Sequence, residues 1–286
     1  RHFKPADDCE ITAECNPAYL DGEKAAALKD VGVNRVSLGV QSFSQRQRCM
    51  LGRHGNPESA GTAMRILCDA GIGNLGADMI YGIPGQSLEE WTSDLRHACE
   101  LGVSHLSTYA LTTEEGSRLA RQSQQLPSDD LTVDMWEAAE KVAAEANLKR
   151  YEISNFAAPG KECRHNVDIW HGGTYAGCGP SATSFDGRDR WTNPADLDAW
   201  LNGAEPRRDV LPPEKRAAEI LAFGMRTVAG WDVNMFRATT GHDAFALRGN
   251  ALAKLRDRGL LKTGGQRIRP TTQGLLFADT VAAELL

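Results

Sequence analysis

Apolar residues in the first half of the chain follow two alternating spacings. Short runs such as residues 35–41, with Val36, Leu38 and Val40 on one face, have the period of two that is typical of β-strands. Longer stretches between them have helical spacing. The pattern predicts strands at residues 9–15, 35–41, 75–81, 105–111 and 151–153, and helices at 21–31, 57–70, 88–101 and 129–146. Ser87 with Glu90, and Ser128, are the predicted caps of the last two helices.

Strands and helices alternate in units of roughly 30 residues, the length of a βαβ crossover. This alternation predicts an α/β fold with a parallel sheet and helices outside it. An open doubly wound sheet and a (β/α) barrel both fit. In either fold, ligands collect where the strands end. Glu14, Gln41 and Asp78 lie at those ends, with the loop at residues 81–86.

The pattern changes after Ile153. Residues 154–193 are rich in Gly, Asn, Ser and aromatics and lack helical periodicity, so we expect a long functional loop segment. Beyond it, a helix at residues 250–258, strands at 260–262 and 267–269, and a last helix at 272–285 predict a small winged-helix-like α+β domain. The predicted domains are residues 1–153, 154–210 and 211–286.

Composition excludes several classes of protein. The formal net charge of -6 argues against a protein that binds nucleic acid through phosphate contacts, and we expect no nucleic-acid partner. No apolar run approaches the roughly 20 residues of a membrane span. The seven cysteines are scattered and include no CxxC pair, which favours a reducing cytoplasm over a disulfide framework or a local metal site.

An ordered series of short strings carries a family resemblance. They are ECNP at 14–17, RVSLGVQSF at 35–43, LGR at 51–53, DMIYGIPGQ at 78–86, YEISNF at 151–156 and CRHN at 163–166. Together they resemble the radical-SAM family of oxygen-independent coproporphyrinogen oxidases and haem chaperones. The later strings, with Trp170 and GCGP at 177–180, are more similar to the haem chaperones.

The resemblance implies a (β/α)6 partial barrel in which a C-x3-C-x2-C loop after the first strand holds a [4Fe-4S] cluster. This sequence has no such motif. Residues 9–15 correspond to the third strand of the barrel, so we expect an N-terminally truncated chain that lacks the first two βα units. The cluster is then expected only in the full-length protein, and Cys9 and Cys15 are not expected to be metal ligands.

The resemblance also implies that Glu14, Gln41, Arg53 and Asp78 contact S-adenosylmethionine. Their chemistry suits this cofactor, because carboxylates accept hydrogen bonds from a ribose diol or an ammonium group. Gln41 donates and accepts at once, and Arg53 can form a bidentate pair with a carboxylate. Without the resemblance, each residue is better explained as a loop anchor or a helix cap.

His165 is the candidate haem ligand, since imidazole is a common axial ligand of haem iron. Asn166 is a candidate to orient it, and Trp170 to stack on the porphyrin or to form a wall of its pocket. A histidine that only makes local hydrogen bonds is the alternative, and Cys163 is a second possible ligand. Ile169 departs from the family, which commonly has an aromatic residue before the Trp.

The resemblance implies a haem chaperone that binds haem and transfers it to an acceptor protein. The alternative is an oxygen-independent coproporphyrinogen III oxidase-type enzyme of porphyrin biosynthesis. That chemistry needs the cluster, because the radical comes from the cofactor. Whether the chain is an enzyme is therefore left open at this point.

Overall fold

The computed structural model describes residues 4–53, 55–113 and 125–286. The chain divides into two compact units, Arg1–Glu162 and Cys163–Leu286. The domain limits at residues 153 and 210 stay a prediction. Along the described residues, no helix combines the length and the apolar composition that crossing a bilayer requires.

The first unit is built from strands and helices in alternation. Strands β1–β6 cover Thr12–Cys15, Arg35–Gln41, Asn74–Tyr81, His105–Ala110, Lys149–Arg150 and Asn155–Ala157. Helices α1–α5 cover Gly22–Asp30, Gln45–Met50, Ser59–Asp69, Leu88–Glu100 and Asp129–Glu145. The predicted cap of α4 is confirmed, because Glu90 N–H donates to Ser87 Oγ at 3.1 Å and Ser87 N–H donates to the Glu90 carboxylate at 2.9 Å.

The six strands form one sheet in the order β1-β2-β3-β4-β6-β5. β1 to β4 run parallel, whereas β6 pairs antiparallel with β4, and β5 pairs antiparallel with β6. The predicted α/β class with a parallel sheet is confirmed, and the sheet is that of a partial barrel. β1 lies at one edge of the described sheet.

The strand predicted at residues 151–153 is wrong. These residues connect β5 to β6. The Glu152 carboxylate accepts from Ser154 N–H at 2.8 Å and from Asn155 Nδ2 at 2.6 Å. Such local side-chain bonds compete with a sheet ladder for the backbone, so the chain turns here.

The two faces of the sheet differ in polarity. Val36, Leu38, Ala77, Met79 and Leu106 are fully buried on one face. Helices α4 and α5 pack together there, and Trp91 Nε1 of α4 donates to the Met135 carbonyl of α5 at 2.8 Å. Since side chains alternate between faces along a strand, the residues between these apolar ones lie on the opposite face.

The second unit contains seven short helices and six short strands within the described residues. Helices α6–α12 cover Arg164–Trp170, Leu197–Leu201, Pro213–Gly224, Val233–Thr240, Ala244–Asp257, Thr272–Leu276 and Ala278–Leu285. Strands β7–β12 cover Thr183–Phe185, Arg190–Thr192, Arg207–Asp209, Trp231–Asp232, Leu261–Gly264 and Arg267–Pro270. They form two three-stranded sheets, β7-β8-β9 and β10-β12-β11.

The winged-helix-like arrangement is confirmed by the order α8, β10, α9, α10 and the β11–β12 hairpin. Its core includes the buried residues Trp231, Phe236, Leu252 and Ile268. The helix predicted at 250–258 begins earlier, at Ala244. The helix predicted at 272–285 is two helices, because the backbone at Phe277 departs from helical geometry (φ -102°, ψ 38°).

The irregular loop predicted at residues 154–193 is also wrong in part. The segment contains β6, α6, β7 and β8. These elements have three to seven residues, which is too short for a hydrophobic period to show in the sequence.

Candidate functional site

A row of polar side chains crosses the sheet of the first unit. Most of its members face the same side because their strands are in register: Glu14 pairs with Ser37, Asp78 with Ser107, and Ser107 with Asn155. Gln41 lies beyond a register shift and reaches this side through its carboxamide, which lies over Gly39. This row, called the polar face below, comprises Glu14, Ser37, Gln41, Asp78, Ser107, Tyr109 and Asn155. It brings three of the four predicted S-adenosylmethionine ligands onto one surface.

Asp78 lies at the centre of the polar face. Ser37 Oγ donates to its Oδ1 at 2.9 Å, and Ser107 also bonds to the carboxylate. Burial raises the pKa of Asp78, and the neighbouring charge of Glu14 raises it further, while the two serines and Arg35 oppose the shift. Glu14 itself is exposed on the edge strand. The pair therefore offers one enclosed and one open carboxyl group to a ligand with hydroxyl or ammonium donors.

Gln41 ends β2 in an unusual conformation. The ladder between β2 and β3 shifts its register between Gly39 and Gln41, and Gln41 has a φ of 70°. A Cβ on Gly39 would lie 3.0 Å from Gln41 Nε2, so the carboxamide lies back over Gly39. The glycine supplies the space that this side chain occupies.

Arg53 lies in the turn that follows α2, not on the sheet. Its N–H donates to the Arg48 carbonyl at 2.7 Å. Its charge helps to lower the pKa of the Arg48 guanidinium, after burial as the larger cause. Among the described residues, no hydrogen bond or ion pair joins Arg53 to Asp78.

Sequence reasoning missed Ser37, Ser107, Tyr109 and Asn155. Burial raises the pKa of Tyr109, while hydrogen bonds to Ser107 and Asn155 oppose the shift. The signal for the two serines was present, since each interrupts an apolar strand with the same period of two that places Asp78 on this face. Asn155 gave no such signal, because β6 is only three residues long.

Two basic side chains lie at the start of the strands on the polar face. His105 is buried, and its Nε2 is 2.8 Å from the Tyr151 hydroxyl. Burial first, and then the charge of Arg35, lowers the pKa of His105 to about 3. The imidazole is therefore neutral at physiological pH and closes the base of the face as a structural group.

The predicted haem segment forms α6 in the second unit. His165 is exposed on the first turn of this helix, whereas Asn166 and Trp170 are half-buried. Asn166 and Trp170 are four residues apart and share a side of the helix, which His165 does not. The structure thus separates the candidate ligand from the two residues predicted to assist it.

Trp170 packs against α8. The Phe223 ring meets it edge-on at 6.3 Å between centroids, and the Arg226 guanidinium lies 4.6 Å from its ring centroid. His171 follows the last turn of α6. Its Nδ1 is 2.9 Å from the Val167 carbonyl, and its Nε2 is 3.1 Å from the Gly230 carbonyl. These contacts fix α6 in the second unit and leave the His165 side outward.

The cysteines form no ligand set within the described part of the chain. None of the seven cysteines forms a disulfide, and no group of three His, Cys, Asp or Glu residues there could hold a metal ion. Burial raises the pKa of Cys15 and raises that of Cys99 to about 11, which disfavours the thiolate that metals bind. Cys163 is buried before α6.

Two family models match the chain. The one described as "Radical SAM superfamily" matches residues 3–98, and the one described as "HemN C-terminal domain" matches residues 211–277. The solved coproporphyrinogen III oxidase HemN of Escherichia coli has a similar fold, with a TM-score of 0.82 at 20% identity, over 97% of this chain and 70% of that one. The chain is therefore of the radical SAM class with a HemN-type C-terminal domain.

Curated relatives identify the family within this class. The heme chaperone HemW of Mycobacterium tuberculosis is 33% identical over all of this chain and 74% of that protein. The Lactococcus lactis heme chaperone HemW is 31% identical over 97% of this chain and 75% of that protein. The Escherichia coli heme chaperone HemW is 37% identical over 73% of this chain and 57% of that protein. The chain belongs to the family of the haem chaperone HemW.

The radical SAM match implies S-adenosylmethionine and a [4Fe-4S] cluster as the cofactors of this class. The polar face fits the first, because it joins acceptors, donors and a buried carboxyl on one surface. The described residues do not fit the second, because they supply no set of three thiolates.

Proposed function

We propose that this chain binds haem through His165 and passes it to an acceptor protein. The observation that carries the proposal is the exposed imidazole of His165, which has no hydrogen bond or ion pair among the described residues. An imidazole nitrogen without a protein partner is available to iron. The relatives named heme chaperone support the same role.

Exposure suits a carrier better than a resident-cofactor protein. A haem held at the surface by one ligand is open to a second protein, which can approach without local unfolding of the carrier. The other well-placed histidines are engaged, since His105 is buried against Tyr151 and both ring nitrogens of His171 face carbonyl oxygens. The acceptor supplies its own ligand to the iron in this scheme.

In this proposal, Asn166 and Trp170 hold helix α6 in place and do not contact the haem. Trp170 anchors α6 through Phe223 and Arg226, so one face of its ring is already covered by a guanidinium. Asn166 lies on the same side of α6 as Trp170 and is also half-buried. Their contribution to haem binding is to keep His165 pointing outward.

We also propose that the polar face binds S-adenosylmethionine. Glu14 and Asp78 accept from its hydroxyl and ammonium groups, Gln41 contacts its polar edge, and Arg53 closes on its carboxylate from the turn after α2. When bound beside a reduced cluster, this cofactor supplies radical chemistry. The described residues offer no ligands for that cluster, so the oxidase-type reaction is the weaker proposal for this chain.

The absence of a disulfide among the seven cysteines supports a reducing compartment, and we propose the cytoplasm. Nucleic acid is not a proposed partner, because the chain has a net charge of -6.

A haem titration of the purified chain tests the proposal. Binding gives a Soret band, and we expect His165→Ala to weaken the affinity at least tenfold, roughly the loss of one iron ligand. His242→Ala is the matched control, because His242 is a half-buried histidine of the same unit that lies outside α6. A Soret band that is the same in wild type and His165→Ala would refute the ligand role of His165. Equal losses in both variants would point to a general effect of removing a histidine.

A further inference from the structure

The backbone is strained at Gln41, where β2 ends. Its φ of 70° is the left-handed value that residues with a Cβ rarely adopt. Ser42 N–H donates to the Val40 carbonyl across it at 2.9 Å, which closes a three-residue γ-turn. With a positive φ at its centre, this is the rarer and more strained of the two γ-turns. Asn147 also has a positive φ, but it directly follows a helix, where that conformation is a common ending.

A carboxylate from α4 fixes the chain on one side of this turn. Asp94 is buried, and its Oδ2 accepts from Ser42 Oγ at 2.6 Å while its Oδ1 accepts from Phe43 N–H at 3.2 Å. Ser42 Oγ in turn accepts from Ser44 N–H at 2.9 Å. One side chain therefore fixes the residues that follow Gln41.

A guanidinium from α2 fixes the carbonyls on both sides. Arg48 is buried, and its Nη1 donates to the Val40 carbonyl at 2.7 Å and to the Ser42 carbonyl at 3.3 Å. Its Nε donates to the Gly55 carbonyl at 3.3 Å. The carbonyls of the residues before and after Gln41 are thus bonded to a group that cannot lose its charge.

These two buried charges do not neutralise each other. In the part of the chain that the structure describes, neither Asp94 nor Arg48 forms an ion pair. Burying a charge without a counter-charge is costly unless hydrogen bonds compensate it. Here most of the compensating bonds go to residues 40, 42 and 43. A strained conformation persists only where its surroundings determine it, and such conformations cluster at functional sites.

We propose that Asp94 and Arg48 are positioning residues that hold Gln41 in its left-handed conformation and so aim its carboxamide over Gly39 at the polar face. This rests on the proposed binding of S-adenosylmethionine there. A side chain already held in its binding position loses less entropy when the ligand arrives, so the affinity is higher.

Asp94→Asn is the test, because asparagine keeps the shape but replaces one acceptor by an NH2 group that faces a donor. Two quantities are measured on the whole chain: amide hydrogen exchange of residues 42–44 without ligand, and the affinity for S-adenosylmethionine by equilibrium dialysis. We expect exchange at residues 42–44 to rise and the affinity to fall, each about tenfold, the effect of one lost charge-assisted hydrogen bond.

Ser87→Ala is the matched control. It removes the N-cap of the same helix, α4, without touching either bond to Asp94. The proposal requires that Ser87→Ala, studied at a temperature where both variants are folded, leaves exchange at 42–44 and the affinity unchanged.

The outcomes separate the two proposals. Unchanged exchange at residues 42–44 in Asp94→Asn would overturn the positioning role. So would an equal loss of affinity in Ser87→Ala. If exchange rises as expected but the wild-type chain binds no S-adenosylmethionine, the positioning of Gln41 is supported and the proposed ligand of the polar face is wrong.

Discussion

The polar face and helix α6 present their functional groups in opposite ways. On the polar face, Asp78 is enclosed and bonded to two serines, and Gln41 is held by a strained turn. On α6, His165 is exposed and has no partner among the described residues. A group that is buried and bonded is preorganised for a ligand that stays, whereas an exposed group suits a ligand that leaves. This contrast is what the proposed carrier of haem with a separate cofactor site requires.

The histidines repeat this contrast. His105 is buried and neutral at the base of the polar face, His171 ends α6 with both ring nitrogens facing carbonyl oxygens, and His165 is outward. We therefore expect substitution of His105 to lower stability most, substitution of His171 to lower it less, and substitution of His165 to change it least.

The largest expected effect is the pH dependence that His105 imposes. The pKa of His105 is about 3 in the folded chain and 6.5 in the unfolded chain, so below about pH 6.5 the unfolded chain takes up a proton that the folded chain does not. Stability is then lost as the pH falls from 6.5 towards 3, by on the order of 3 kcal/mol at pH 4. Urea unfolding of wild type and His105→Gln at pH 7.5 and pH 4 measures this loss.

Asp78 and Asp94 titrate in the opposite sense, because burial raises their pKa values. Both aspartates titrate in wild type and in His105→Gln alike. The difference between the two proteins in the pH dependence of the free energy of unfolding is therefore due to His105. Parallel pH profiles of the two proteins would show that His105 is protonated, or accessible to water, in the folded chain.

Arg48→Ala is expected to have the next largest effect. It leaves the carbonyls of Ser42 and Gly55 without the donor from Arg48 and removes one of the two donors to the Val40 carbonyl, and unsatisfied buried acceptors cost about 1–3 kcal/mol each. After partial relaxation we expect a loss of about 3 kcal/mol in the free energy of unfolding. Arg53→Ala, in the turn that follows the same helix, should cost less than about 0.5 kcal/mol. The urea midpoints of the two variants test whether the buried Arg48 contributes more to stability than Arg53.

On α6, the histidine of the first turn and the histidine that follows the last turn should differ in their effect on stability. His171→Ala loses contacts to the Val167 and Gly230 carbonyls and an edge-on contact with Trp231 at 4.9 Å, and we expect a loss of about 1–2 kcal/mol. His165→Ala should change stability by less than about 0.5 kcal/mol. Thermal unfolding checks both, and a comparable loss for His165→Ala would mean that the imidazole has a structural partner.

The sequence predicted those parts of the fold whose period is long enough to see. β2 was predicted with its observed bounds and β3 to within one residue, because seven or eight alternating positions are unambiguous. The capping box of α4 followed from Ser87 and Glu90 alone. By contrast, α6 has seven residues and β6 has three, and no period shows over such lengths.

The site was predictable only where strand ends reveal it. Gln41 and Asp78 follow from their place on predicted strands. The bond from Ser42 to Asp94 spans 52 positions of sequence, and no local pattern links the two residues. The left-handed backbone of Gln41 was equally hidden, because glutamine has no preference for it.

The smallest expected effect is the strain at Gln41. Gln41→Ala removes the side chain but keeps a Cβ in a left-handed position, whereas Gln41→Gly removes both, so the glycine variant should be more stable than the alanine variant by about 1 kcal/mol. Urea unfolding at pH 7.5 measures this difference. Gln266, which has a φ of 66° in the turn between β11 and β12, is the control: Gln266→Gly and Gln266→Ala should show the same order, since the cost belongs to the backbone. Only at Gln41 should both variants also weaken binding of S-adenosylmethionine. If Gln41→Ala is as stable as Gln41→Gly, the turn is not strained, and the polar face and α6 differ in burial alone.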